Sequence, residues 1–514
     1  MNNRSIIYLL VVFILHQDYY HSVFTRAFIL NPPSKKTQTP LIKLSQKSKA
    51  LNYHEANTSD GGERPRIVIV GGGLGGVASA YDAEHILRHT HDVIVVSDKT
   101  EFSFVPSNPW VAIKKRQPKD IQVSLDKVLP RHGVQFRHDA AVALEPASNL
   151  LKLASGEELT YDYLLIATGP RLAFDAVEGL SEFGASICKT DHAAHTAELV
   201  DKLVEDPGPC VIGAVQGSSC FGPAYEFLFL LQYELLRRGG KELLEQCPFT
   251  FITPEPVVGH LGLDGSGDSK AILKDLCKKK HVQVMCQVRT TKVTKDSVTV
   301  ERLGDDGKVV ETKELPSKLT MMIPPFHGLD CWKNVPGLTD EKGLILVDEH
   351  QQSKTYPNIF AVGVAVSMPQ IFETVIPVGI PKTGYLIESQ GTAAVRNIKT
   401  LSDWTKRHNG SQEKDNNALP PILTSHSLNN AVCITDFGND GAIFVALPQV
   451  PPRRHDWTIH SKMATLAKIA FEKYFLHKVD HGDTEPYYEK YLLKLIGVER
   501  TEEDHKVRGD AGLH

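Results

Sequence analysis

The sequence is short of the residues that mark several protein classes. Its eight cysteines are scattered through 514 residues with no two in a CxxC pair. That excludes a disulfide scaffold and argues against a zinc ribbon or a thioredoxin-type centre. No run of about 18 apolar residues occurs, so no spanning helix is expected. The body also lacks basic charge. Residues 1–53 hold seven Lys/Arg against the single acid Asp18, so the rest of the chain carries −10 of a total of −4. A nucleic-acid partner, which needs a basic footprint, is therefore not expected.

What remains is ordinary globular composition, 41% hydrophobic and 23% charged, long enough for two to four domains of about 100–200 residues. The N-terminus reads as an address. Arg4 precedes a ten-residue apolar run, Ile6 to Leu15, which as a helix would rise only about 15 Å, half a membrane. Beyond Asp18 no acid appears until Glu55, while Lys, Ser and Thr accumulate. A signal peptide followed by an organelle transit peptide accounts for both features. Plastid routing is favoured on the Ala27-Phe28 junction, with mitochondrial or secretory routing as alternatives. Residues 54–64 read as a linker.

The body opens on a dinucleotide signature. The β-branched run Arg66-Ile-Val-Ile-Val70 leads directly into Gly71-Gly-Gly73-Leu-Gly-Gly76 and then an Ala-rich helical stretch. In GxGxxG the first glycine makes the tight turn, the second lets backbone approach a pyrophosphate, and the third lets helix close on strand. The phosphates then sit on the helix N-terminus. A second strand, Asp92-Val-Ile-Val-Val96, ends at Asp98, placed 22 residues past Gly76 to accept from a ribose hydroxyl. Two further strands stop on glycine: Tyr163-Leu-Leu-Ile-Ala167-Thr168-Gly169-Pro, and Asn358-Ile-Phe-Ala-Val-Gly363.

A second strand–turn–helix follows, Cys210-Val-Ile-Gly-Ala214 and Ala224 to Arg238, but its turn reads Gly213-Ala-Val-Gln-Gly217-Ser-Ser-Cys220. The fingerprint glycines are incomplete, and Gln216 is expected to obstruct a second pyrophosphate. Glu255 stands where a ribose acid would, between Pro254 and Pro256, which bias the backbone away from that role. Cys220 at a helix start is expected to have a lowered thiol pKa.

Together with the Phe104–Trp110, Gly217–Glu226, Gly259–Gly262 and Pro381–Tyr385 blocks, this pattern resembles the sulfide:quinone oxidoreductases, flavoproteins with two dinucleotide-binding domains. The resemblance implies an α/β fold with two Rossmann-like, three-layer domains and a C-terminal α-helical membrane-attachment region. The implied limits are an FAD domain in two parts (65–206 and 326–402), a middle domain (207–325) and a C-terminal region (403–514). It implies FAD held by Gly71, Gly73, Gly76, Asp98, Asn108, Ala141, Ala167, Thr168, Gly169, Gly363 and Lys382. It also implies that Cys220 takes up sulfide sulfur, or a low-molecular persulfide, and that a quinone is the oxidant.

Cys188 is the implied second thiol, and Lys382 a cation facing the flavin. The usual further cysteine is expected upstream of Gly363, where the chain has His350 instead; His350 and His260 are candidates for proton work. Helices over 461–478 and 487–496, with lysines around an apolar face, suggest a monotopic hold on a membrane surface. The alternative is packing on the body or on a second copy in a homo-oligomer. Two other functions stay open: an NADH:quinone oxidoreductase, and a non-catalytic flavin-bound redox sensor or assembly factor. No metal site is expected.

Overall fold

The computed structural model describes residues 64–409, 423–425 and 430–483. The targeting segment 1–53, most of the linker and the helix expected at 487–496 lie outside these residues. In chain order the elements that build the site are strand β1 (Arg66–Val70), helix α1 (Leu74–Leu87), strands β2 (Asp92–Ser97), β3 (Gln135–His138) and β4 (Tyr163–Ile166), and helix α2 (Thr190–Glu205). The middle of the chain contributes β5 (Cys210–Ala214), α3 (Gly222–Glu245), β6 (Phe249–Ile252), β7 (Gln283–Met285), β8 (Val288–Val293), β9 (Ser297–Leu303), β10 (Val309–Pro316) and β11 (Leu319–Ile323). Then come β12 (Ile359–Ala361), α4 (Gly384–Asn409), β13 (Ala431–Asp436), β14 (Gly441–Leu447), β15 (His455–Ser461) and α5 (Lys462–His481).

Two parallel sheets carry the architecture. The first has the order β12-β4-β1-β2-β3, the second β7-β6-β5-β11. Ile67 to Val70 are all buried, as expected of a strand covered on both faces. The registers Val70↔Ile166 and Ile166↔Ala361 bring the C-terminal ends of β1, β4 and β12 to one level. Strands β8, β9 and β10 form an antiparallel sheet beside the second parallel one. The first half of helix α3 is enclosed by protein, with Phe227 to Leu231 each fully buried and Glu226, Gln232 and Glu234 buried among them. Its regular geometry ends at Arg238, because Gly239 and Gly240 leave helical angles.

The C-terminal region departs from the expected helical foot. It contains an antiparallel sheet β13-β14-β15, in which residues 448–454 lead into the third strand. Helix α5 starts where the sequence predicts, with the Ser461 hydroxyl accepting from Met463 N. Its lysines do not all face outward, however. Lys468 and Lys478 are 1% and 4% exposed and pair with the buried Glu226 and Glu388. Glu472 accepts from Ser107 Oγ at 2.5 Å and Arg116 Nε at 2.9 Å, and Tyr81 donates to the Val479 carbonyl. One face of helix α5 thus braces the body, while Lys462, Leu466, Lys473 and His477 are exposed. A 3.6-residue apolar period says that a face is buried, not whether lipid or protein buries it. No helix among the described residues is long and apolar enough to cross a membrane.

Candidate active site

The first turn is built to hold a dinucleotide. A methyl group at Gly76 would lie 1.8 Å from the Gly71 carbonyl oxygen, and one at Gly71 would lie 2.3 Å from the Ala167 oxygen. Strand and helix therefore touch through these glycines. A methyl at Gly73 would meet nothing within 4 Å: its open face is the approach left for a phosphate. Helix α1 begins there with no side-chain cap and no acid in its first turn, so its first N–H groups and dipole remain for an anion. Ala167 N bonds to the Val70 carbonyl at 2.8 Å, which sets Ala167, Thr168 and Gly169 beside the turn. On the next strand Gly363 has φ +75° and its N donates to Gln390 Oε1 at 2.8 Å.

Asp98 is exposed just past the end of β2. Ala141 starts a strand three residues past the end of β3, near the Asp139 N to Ser97 O bond of 2.9 Å. These positions line the C-terminal edge of the first sheet, the ligand-binding edge of such folds. The residues fit FAD. Asn108 is an exception. It is fully buried, its amide donates to the Ile187 carbonyl at 3.0 Å, and its oxygen accepts from Thr190 at 3.1 Å. Both ends of the side chain are committed to the segment that carries Cys188, so Asn108 positions that segment rather than a cofactor.

The second turn is closed. Gln216 donates from Nε2 to the Thr290 carbonyl and accepts at Oε1 from Thr290 N, both at 3.0 Å. Its amide thus fastens the turn to β8 where a pyrophosphate would enter. Glu255 is 0% exposed and accepts from Tyr225 Oη at 2.8 Å, Thr253 Oγ1 at 2.8 Å and Leu261 N at 2.6 Å. Burial pushes its carboxyl up to about 7. An acid so enclosed offers nothing to a ribose.

This closed turn carries a thiol. Cys220 is half-buried and precedes the helix, with Phe221 as N-cap and Gly222 the first helical residue. The expected lowering of its pKa is reversed: burial first, then the neighbouring Cys433 and Cys188, push the thiol well above its usual range. Desolvation outweighs a dipole that acts mainly within the first turn. The turn abuts the segment before Lys382, since Gly379 N donates to the Ser218 carbonyl at 3.2 Å and a methyl at Gly379 would lie 2.5 Å from Ser219 Cβ. Lys382 in turn donates from Nζ to the Val364 and Val366 carbonyls, at the turn begun by Gly363, and burial lowers its pKa to about 8. Cys220, Lys382 and the Gly363 turn are therefore neighbours.

Three thiols meet here, where two were expected. Cys433, on β13, lies 3.5 Å from the position of a methyl on Gly222. Burial raises it to about 12, and Cys188 to about 11. Sequence reading overlooked Cys433 because it looked for the further cysteine upstream of Gly363. The available signal was position, three residues before Asp436-Phe-Gly-Asn, a turn sequence between two apolar runs. A buried network seats the strand: Glu226 Oε1 accepts from Asp436 N at 3.0 Å and from Lys468. Asp436 accepts from Trp110 Nε1 at 2.8 Å, Lys115 at 2.7 Å and Thr465 at 2.9 Å.

The histidines separate. His260 is 3% exposed, its Nδ1 finds no partner among the described residues, and burial lowers its pKa. His350 stands beside the strand that leads to Gly363: Ala361 N donates to the neighbouring Gln351 carbonyl at 3.1 Å, the His350 carbonyl accepts from Asn397 at 2.9 Å, and its Nδ1 lies 3.4 Å from Ser425 Oγ. Among the described residues no group of three or more His, Cys, Asp or Glu is arranged to hold a metal ion.

Comparison with known proteins accords with this geometry. The family model for pyridine nucleotide-disulphide oxidoreductases matches residues 65–215. The chain is 37% identical over 432 residues to the sulfide-quinone reductase of Aquifex aeolicus, covering 84% of this chain and 94% of that one. It is 24% identical over 359 residues to the mitochondrial sulfide:quinone oxidoreductase of Mus musculus, covering 66% and 74%. The crystal structure of the Aquifex aeolicus enzyme superposes with a TM-score of 0.78, covering 85% of this chain and 96% of that one. A Plasmodium falciparum NDH2 in complex with NADH shares the fold at 12% identity and a TM-score of 0.60. With its open first turn, plugged second turn and thiol cluster, this chain belongs to the sulfide:quinone oxidoreductase family of FAD-dependent flavoproteins.

Proposed function

We propose that the protein passes two electrons from sulfide to a quinone, with Cys220 and Cys433 as the working thiol pair. The observation that carries this is the placement of Cys433 against Gly222, two residues from Cys220, in a turn that also touches the Lys382 segment. The buried thiols are poor thiolates, which favours the pair acting as a disulfide electrophile toward hydrosulfide. The nucleophile adds to one sulfur, the S–S bond breaks, one cysteine becomes a persulfide and the other leaves as a thiolate with the electron pair. FAD, when bound, supplies the two-electron link between thiols and quinone. The Lys382 ammonium places positive charge beside the Gly363 turn, where negative charge develops on reduction. Cys188, an electrostatic neighbour of Cys220, is assigned the exchange with the persulfide. His260 is the proton carrier this arrangement favours, having one ring nitrogen without a partner.

Contact with a membrane surface, from which a quinone is drawn, is assigned to the aromatic and lysine-bearing stretch 487–496. The basic, hydroxylated leader over 1–53 is assigned to organelle import, with a plastid favoured. Anaerobic mixing tests the chemistry. Sulfide is expected to bleach the flavin of the purified protein and a short-chain quinone to restore it, whereas NADH leaves it oxidised. Cys220→Ser and Cys433→Ser should each slow bleaching by roughly a hundredfold or more with flavin retained. Bleaching of either variant at the unmodified rate overturns the thiol pair, and rapid bleaching by NADH alone overturns the choice of donor.

A further inference from the structure

A second pair of cysteines lies at the far end of the elements that hold Cys220. Cys210 opens β5, and Cys247 follows α3 in the short connection to β6. The backbones are joined there, since Cys210 N donates to the Pro248 carbonyl at 2.9 Å. Both thiols gather on one residue: Cys210 Sγ donates to Gly208 O at 3.6 Å, and the Cys247 sulfur lies against the Gly208 backbone and the Cys210 thiol. They are 0% and 1% exposed, with no charged side chain perturbing either one.

We propose that Cys210 and Cys247 form an oxidisable dithiol, distinct from the active-site thiols, that closes to a disulfide under small hydroperoxides. Either thiol can serve as the attacking sulfur and the other as the resolving one. The attacking thiolate cleaves the O–O bond of hydrogen peroxide, becoming a sulfenic acid as the first water leaves. The second thiol then displaces the second water, so two thiols lose two electrons and one peroxide becomes two waters. An S–S bond of about 2.05 Å would join two sulfurs that already lie against one residue, Gly208, on backbones bonded to each other. The ring so formed contains β5, the Cys220 turn and α3, so oxidation staples the frame of the active-site thiol without touching it.

The test is peptide mapping of the full-length flavin-loaded protein after graded hydrogen peroxide, native-state alkylation, denaturation and digestion without reduction. The expected product is a peptide joining the Cys210 and Cys247 segments, two hydrogens lighter than its parts and cleaved by dithiothreitol. It should form at lower peroxide doses than any oxidation of Cys331. In Cys247→Ser the cross-link should vanish and Cys210 should be recovered as a free thiol, with sulfide-dependent turnover within about twofold of the parent. Recovery of both cysteines unlinked at doses that already oxidise Cys331, or linkage of either to a different cysteine, overturns the proposal. The readout does not depend on which substrate the enzyme uses.

Discussion

The two strand–turn–helix units of this protein share one backbone plan and put it to opposite uses. At the first, Gly71 and Gly76 bring strand and helix into contact while Gly73 faces open space. At the second, Gln216 is bonded into β8 and Glu255 is enclosed by Tyr225, Thr253 and Leu261. The fold makes a phosphate-sized notch available in both, and side chains decide whether it stays open. A thiol occupies the plugged one. The lesson is that a dinucleotide fold gains sulfur chemistry by filling a site, not by adding a domain.

Three substitutions would break or sharpen that contrast. The largest effect is expected from Gly73→Glu. The position has φ −83°, which any residue adopts, and room for a side chain, so the fold should survive. A carboxylate on the phosphate approach should lower flavin occupancy roughly tenfold or more, read as flavin absorbance per protein with an unchanged circular dichroism spectrum. Full occupancy would mean that the open notch is not the cofactor site.

Next is Glu255→Gln. Burial raises the Glu255 carboxyl from 4.5 to about 7, so between those values the native state keeps a proton that the unfolded chain has lost. Stability contributed by this residue therefore falls as pH rises through that window and is level above it. Glutamine carries no such slope. Its stability relative to the parent should improve by about 3 kcal/mol between pH 4.5 and 8, measured by denaturant unfolding at both ends. A difference that does not change with pH would show Glu255 to be ionised without cost.

The smallest effect is expected from Gln216→Ala, which removes two hydrogen bonds to Thr290 and should cost about 1–2 kcal/mol in the same assay. It should not make NADH a donor, because Glu255 still fills the ribose position. Reduction by NADH in this variant would mean that Gln216 alone is the plug.

Much of the frame was readable in advance because it depends on local physics. β-Branched runs ending on glycine marked β1, β4 and β12, and the missing glycines of the second turn announced its closure. The start of α5 at Ser461 was legible as a hydroxyl before an amphipathic run. The errors came where a pattern has two physical readings. Lysines on the α5 wheel looked solvated, yet Lys468 and Lys478 meet buried carboxylates supplied by α3 and α4. Asn108 looked like a cofactor ligand because its block resembled one, whereas its amide is spent on Ile187 and Thr190. Cys220 looked activated by a helix terminus, but burial governs it.

Chain order by itself marked the two Rossmann units, the strands that end at the flavin edge and the missing glycines of the second turn, since each is read from a short run of residues or from backbone conformations particular residues permit. Tertiary structure alone decided which sulfurs meet, because β13 is seated beside Gly222 by a buried network in which Glu226 bonds to Asp436 and Lys468, each more than two hundred positions away. It also decided that one face of α5 packs on the enzyme. Partners so remote in sequence are selected by desolvation and packing of the whole molecule, which no local pattern records.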